Sequence, residues 1–257
     1  MKYPKVSLSA LLCMSLLPFP AQARDACFSR FPLEANAADS TFSNATSAFA
    51  SGDYQAAFAG WQKLAEQGDC RAEYNLGALY LSGWGVNQDI AKAIEWFKKA
   101  AEQGSASSQY NLGEAYRVGR GIDKDMQQAV FWYTKSADQG RKEAQAMLGL
   151  VYDKAPDYPR DPQKAAHFYR QAAAQGEPGS CLNLGIMHAL GDGVVADKVL
   201  AYFFVRIAAS SGLPAAEKTL PIIRAKMREE QVEEAEQLGR SWQPDGALPS
   251  SSRSGRR

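Results

Sequence analysis

The chain has 257 residues and carries 29 basic against 28 acidic side chains. A balance this near neutral excludes nucleic acid as a general partner, because a phosphate backbone is gripped by a clustered excess of Lys and Arg. Loss of an N-terminal leader carrying Lys2 and Lys5 would leave 27 basic against 28 acidic residues and preserve that exclusion.

Residues 1–23 read as such a secretory leader: Lys2 and Lys5 come first, then an apolar run over residues 6–17, then Ala21-Gln22-Ala23 as a small-residue cleavage site. The run is too short to cross a bilayer, which takes about 20 residues, and no second transmembrane candidate is present, so a soluble exported chain is expected. A lipid-anchored precursor would need small residues just before the modified cysteine. Here Cys13 follows Leu11-Leu12, and Cys27 lies beyond the cut. Residues 24–37 are then an N-terminal extension.

Residues 38–73 form a unit that ends in Trp61-Gln62-Lys63-Leu64-Ala65-Glu66-Gln67-Gly68, a phrase that returns in later copies. Over residues 74–217 one 36-residue pattern is then written four times without a gap. Tyr74-Asn75-Leu76-Gly77 recurs as Tyr110-Asn111-Leu112-Gly113, Ala146-Met147-Leu148-Gly149 and Leu182-Asn183-Leu184-Gly185. Asp89, Asp125, Asp161 and Asp197 follow, then Ala93 and its counterparts, then Trp96, Trp132, Phe168 and Phe204, then Gly104, Gly140, Gly176 and Gly212. An unbroken period of this length marks stacked supersecondary units.

Each copy reads as two helices. Ala93, Trp96, Phe97, Ala100 and Ala101 make one buried helical face. Asp161 before Pro162 is an N-cap with Pro at the first helical position, so Asp89, Asp125 and Asp197 are expected to cap likewise. Gly104 and its counterparts fall where a helix ends in a left-handed residue. The first helix, over about residues 72–81, carries Leu76, Gly77 and Tyr80 on one side. Each recurring glycine costs about 1 kcal/mol of helix propensity against Ala, so a neighbouring helix must pass too close there for a side chain.

These residues resemble the Sel-1-like repeat, a relative of the tetratricopeptide repeat. The resemblance rests on Asn75-Leu76-Gly77-Ala78-Leu79-Tyr80-Leu81-Ser82-Gly83-Trp84-Gly85-Val86, on Asp89, and on Ala93-Ile94-Glu95-Trp96-Phe97 through Gly104. It implies an all-α, right-handed α-solenoid of stacked helix-turn-helix repeats. Residues 38–73, with the turn Ser51-Gly52-Asp53-Tyr54, look more like an ordinary tetratricopeptide unit serving as a cap. The pattern breaks at Lys154-Ala155-Pro156-Asp157-Tyr158-Pro159-Arg160, where the other copies carry glycines, so that loop is expected to be stiffer and specialised.

After leader loss Cys27, Cys70 and Cys181 remain. Cys70 and Cys181 lie about three repeats apart, beyond the ~7 Å between Cα atoms that a disulfide tolerates. Cys27 can fold back onto Cys70. The other reading of Cys70 is a free thiol, since this repeat position takes a small buried residue. Cysteine-rich bacterial members of the family staple each repeat with its own disulfide, a pattern this chain lacks.

Residues 218–243 read as a closing helical segment, with Met227, Gln231, Ala235, Leu238 and Trp242 as its apolar stripe and Glu229, Glu230, Glu233, Glu234 and Glu236 outside. A solenoid end needs such a cap. Residues 244–257 are Pro, Ser, Gly and Arg with almost nothing apolar and read as a disordered tail.

A search for chemistry returns no HExxH, phosphate loop, nucleophile elbow or paired CxxC. His167 and His188 take positions that the repeat explains by itself. No cofactor, metal or catalytic residue is expected, and the weak lactamase activity assigned to some relatives has no serine-lysine or metal constellation here. What remains is surface. In such solenoids first helices line a concave groove, and the positions free of stacking duty are Asn75 and Ala78; Asn111 and Glu114; Met147, Leu150 and Lys154; Asn183, Ile186 and Leu190. That groove would run from polar to apolar and suit a helix or extended peptide of another protein. The competing reading is that Met147, Leu150, Ile186 and Leu190 pack against one another or the terminal segment. The expectation is a non-catalytic adaptor or scaffold of the bacterial periplasm. The alternatives are a structural part of an envelope machine such as a flagellar motor, or a cell-wall enzyme or glycan binder.

Overall fold

The structure, a computed structural model, describes Cys27 and residues 37–250. The leader, most of the N-terminal extension and residues 251–257 lie outside the described residues, and so do the expectations that fall on them. Among the described residues there are twelve helices and no strand. They form two compact units that divide after Gln139.

The first unit holds α1 (Ala37–Ala50), α2 (Tyr54–Ala65), α3 (Cys70–Ser82), α4 (Ile90–Glu102), α5 (Ala106–Val118) and α6 (Met126–Asp138). Each helix packs on the next in chain order, as antiparallel neighbours joined by short turns must. The α1–α2 turn is tight, with Asp53 Oδ1 accepting from Ala56 N at 3.0 Å. The α1–α2 pair meets the next repeat through aromatic rings. Trp84, from the loop after α3, stacks on Tyr54 with 5.3 Å between ring centroids and lies 5.6 Å from Phe49.

The second unit holds α7 (Lys142–Lys154), α8 (Pro162–Ala174), α9 (Pro178–Leu190), α10 (Lys198–Ser210), α11 (Pro214–Arg224) and α12 (Glu229–Ser241). Its core gathers Tyr169, Leu184, Leu200, Phe203, Phe204 and Val205, all fully buried. Helix α11 starts 36 residues after α9, just as α9 starts 36 after α7. It is therefore the first helix of a further, shortened unit, with Pro221 standing where the repeat glycine would be. In α12 the buried positions are Val232 and Ala235, while Gln231, expected in the apolar stripe, instead accepts from Arg228 N at 3.1 Å. A helix start needs its orphan amide groups met, and that requirement outranks the stripe. Residues 244–250 lie back on this unit: Asp245 N donates to Ala174 O at 2.7 Å, and Leu248 packs against the core.

The capping carboxylates sit as expected. Asp89 accepts from Lys92 N, Asp125 from Gln127 N and Gln128 N, Asp161 from Lys164 N, and Asp197 from Val199 N and Leu200 N, all at 2.9–3.1 Å. The recurring helix glycines have their physical reason in the partner helix. A Cβ on Gly77 would stand 2.7 Å from the Phe97 ring, one on Gly113 2.7 Å from the Tyr133 ring, and one on Gly185 2.6 Å from Val205 Cγ2. Helices α3, α5 and α9 end on left-handed glycines, whereas α7 ends on Ala155 in extended conformation, φ −66°. Beyond it Arg160 braces the divergent loop, donating to Asp153 O at 3.1 Å and pairing with Asp192 from the next repeat.

Candidate functional site

In the first unit the surface positions on α3 and α5 do not all face solvent. Ala78 is 8% exposed and belongs to a buried cluster with Cys27, Tyr74, Leu81 and Phe97, so it offers no surface. Glu114 is occupied internally. It accepts from Arg117 Nε at 3.2 Å and Nη2 at 2.8 Å, and from the Tyr133 hydroxyl. The hydrogen bonds from Arg117 hold the guanidinium cationic, and burial followed by the Glu114 charge pushes the Tyr133 phenol up, keeping it a donor. An acidic side chain read from a helical wheel as free for a partner is thus spent on its own second helix. Asn75 is half-buried, and Asn111 lines a small cavity of about 50 Å³ with Leu81, Ile94, Phe97 and Val118.

The Cys27 and Cys70 sulfurs are joined across a Cα–Cα distance of 6.0 Å, tying the extension to the first turn of α3. Cys181 is a buried free thiol, pushed up to about 12 by desolvation and then by the Glu177 charge.

In the second unit Met147 and Asn183 are half-buried and Leu150 is exposed. Lys154 Nζ donates to Asn183 Oδ1 at 3.2 Å, which links α7 to α9. Ile186 is half-buried and Leu190 exposed. They line one wall of an open cavity of about 180 Å³, whose floor is Ala201 of α10 and whose opposite wall is Thr219, Ile222 and Ile223 of α11. Leu190 is 73% and Ile222 60% exposed. Lys198 and Lys226 stand at the same cavity, with Lys198 Nζ donating to Lys226 O at 2.8 Å.

Sequence reasoning missed the α11 half of this cavity, although a signal was available. Thr219, Ile222 and Lys226 follow Asn183, Ile186 and Leu190 at the same 36-residue spacing that separates the starts of α9 and α11. The cavity in the first unit occupies the same position between successive first helices, which makes it a feature of the repeat.

His188 lies buried with its ring parallel to Phe204, centroids 5.8 Å apart, and Nδ1 3.1 Å from Val195 O. Burial lowers its pKa, so at neutral pH it is an uncharged ring serving the core. His167 is on the outer face of α8, against Phe168 and Gln171. Among the described residues no group of three or more His, Cys, Asp or Glu is placed to hold a metal ion, and no helix is long and apolar enough to cross a membrane.

The chain resembles two solved bacterial structures. One is a protective antigen present in uropathogenic Escherichia coli strains, with an SLR fold. It has 31% identity over 72% of this chain, TM-score 0.66. The other is a Sel1 repeat protein from Oxalobacter formigenes, with 32% identity over 66% of this chain, TM-score 0.62. This chain spans 42% and 49% of those chains, less than half of each. No curated protein sequence matches it. A sequence model of the Sel1 repeat matches residues 70–105, 106–140, 142–177 and 178–213, each taking in one of the helix pairs α3–α4, α5–α6, α7–α8 and α9–α10. With more than half its length in matched repeats built as packed helix pairs, the chain belongs to the Sel1 repeat family.

Proposed function

We propose that the protein is an exported, non-catalytic adaptor of the bacterial periplasm, cleaved after Ala23, that holds a helix or extended peptide of another protein on the inner faces of its first helices. The observation that carries this reading is the exposure of Leu190 and Ile222 around an open apolar cavity. Apolar side chains left in water at a repeat's inner surface serve no stacking role and suit a partner's apolar face. Leu150 and the half-buried Met147 extend apolar surface along α7. The description of the similar E. coli protein as a protective antigen accords with export.

The reading is tested by placing a photo-crosslinking residue at position 150 or 186 in the native host, with position 233 on α12 as an outer-face control, and identifying the products by mass spectrometry. A dominant protein crosslinked from 150 and 186 but not from 233, and lost when Leu190 is changed to Asp, is the expected result. Equal products from both faces, or none from the inner one, would remove the adaptor role. Fractionation of the same cells reports the compartment, and a chain retaining residues 1–23 in the cytoplasm would refute export.

A further inference from the structure

We propose that the cavity between α9, α10 and α11 seats one large apolar side chain of an acidic peptide segment, whose carboxylates pair with Lys198 and Lys226. This rests on the adaptor reading and names the chemistry of its partner. The cavity measures about 180 Å³. An apolar cavity of about 150 Å³ accepts a benzene ring, so the space suits a Leu, Ile, Phe or Trp side chain. Apart from Thr219 its uncharged lining is aliphatic, and among the described residues its only charged lining is two exposed lysines, with no carboxylate. An apolar anchor flanked by Asp or Glu meets both features, the anchor gaining from burial and the carboxylates from charge complementarity, which steers docking and sets specificity.

The chain's terminal segments, residues 1–23 and 251–257, have the wrong charge to fill it. Residues 251–257 contain Arg253, Arg256 and Arg257 with no acid, and residues 1–23 contain Lys2 and Lys5 with no acid. A second copy is a poor match. Its acidic run, Glu229 to Glu236, lies on α12, whose apolar residues Val232 and Ala235 are committed to their own core. The cavity therefore awaits a foreign acidic segment.

The experiment is selection of a displayed random 12-residue peptide library on the purified chain from Arg24 onward, followed by anisotropy titration of the enriched peptides. The expected result is a consensus with one large apolar residue flanked by Asp or Glu. Its Kd should weaken at least tenfold in Lys198→Glu/Lys226→Glu and in Ile222→Asp, with circular dichroism and Tm unchanged, and should weaken as salt rises. Several outcomes overturn the proposal: basic or neutral consensus peptides, acidic peptides that bind the double variant equally, or no enriched peptide at all. So does a concentration-dependent dimer in sedimentation that Ile222→Asp abolishes, since that makes a second copy the occupant. Peptides that ignore Ile222→Asp but are lost on Val118→Asp in the first unit would end this inference and leave the adaptor reading standing.

Discussion

The Gln175 side-chain amide donates both to Gln145 Oε1 and to the Gly140 carbonyl, at 2.8 Å in each case. The first unit repeats the device, with Gln139 donating to Gln109 Oε1 at 2.8 Å and to Gly104 O at 2.9 Å. In these two repeats the end of the second helix is thereby tied to the start of its own first helix. Gln175→Ala removes both bonds from α8, and the expected loss is about 1–3 kcal/mol, the cost of stripping partners from buried polar atoms. Urea unfolding should show a lower midpoint with unchanged slope. An unshifted midpoint would mean that water serves those acceptors equally well.

Gly113→Ala is expected to destabilise although alanine is the better helix former by about 1 kcal/mol. The new Cβ would stand 2.7 Å from the Tyr133 ring, and Tyr133 is fully buried and holds Glu114, so it has nowhere to move. Overpacking of this kind costs about 1–3 kcal/mol. The double variant Gly113→Ala/Tyr133→Leu should recover part of the loss, and failure to recover it would place the strain elsewhere.

The bridge from Cys27 to Cys70 closes a separation of 43 residues, for which chain entropy predicts about 4 kcal/mol of stabilisation. Reduction, or Cys27→Ser, should lower the urea midpoint by a corresponding amount while far-ultraviolet circular dichroism keeps its helical signal, because the repeats bury their own faces. Loss of helicity at zero denaturant would show that the extension is needed for folding of the first unit.

His188 links stability to acidity. Its pKa is lowered in the folded chain by burial, with the Arg170 charge adding to that and the Val195 carbonyl and Asp197 opposing it. Below about pH 6.5 the unfolded imidazole takes up a proton that the folded one refuses, so this residue's contribution to stability falls as pH falls and is restored as pH rises. His188→Tyr, which installs the residue found at Tyr80, Tyr116 and Tyr152, should flatten the decline in Tm between pH 7.5 and 5. An unchanged slope would assign the acid sensitivity to other groups.

The repeat, its period, its caps and its close-packed glycines are all legible in the chain without coordinates. Each of these answers a local requirement: an orphan helix amide needs a carboxylate within three residues, and a glycine recurs where a side chain of the partner helix, a ring at Gly77 and Gly113 and Val205 at Gly185, presses on the backbone. Which wheel positions are surface was settled by the packing of helices. Ala78 is buried and Glu114 is bonded to Tyr133 because those outcomes depend on side chains 19 or more residues away. The cavity beside Ile186 needed α11 placed against α9, and a 36-residue spacing read only as far as residue 217 stops short of Ile222. Helical periodicity says which way a residue points, while the neighbouring helix decides whether anything is already there.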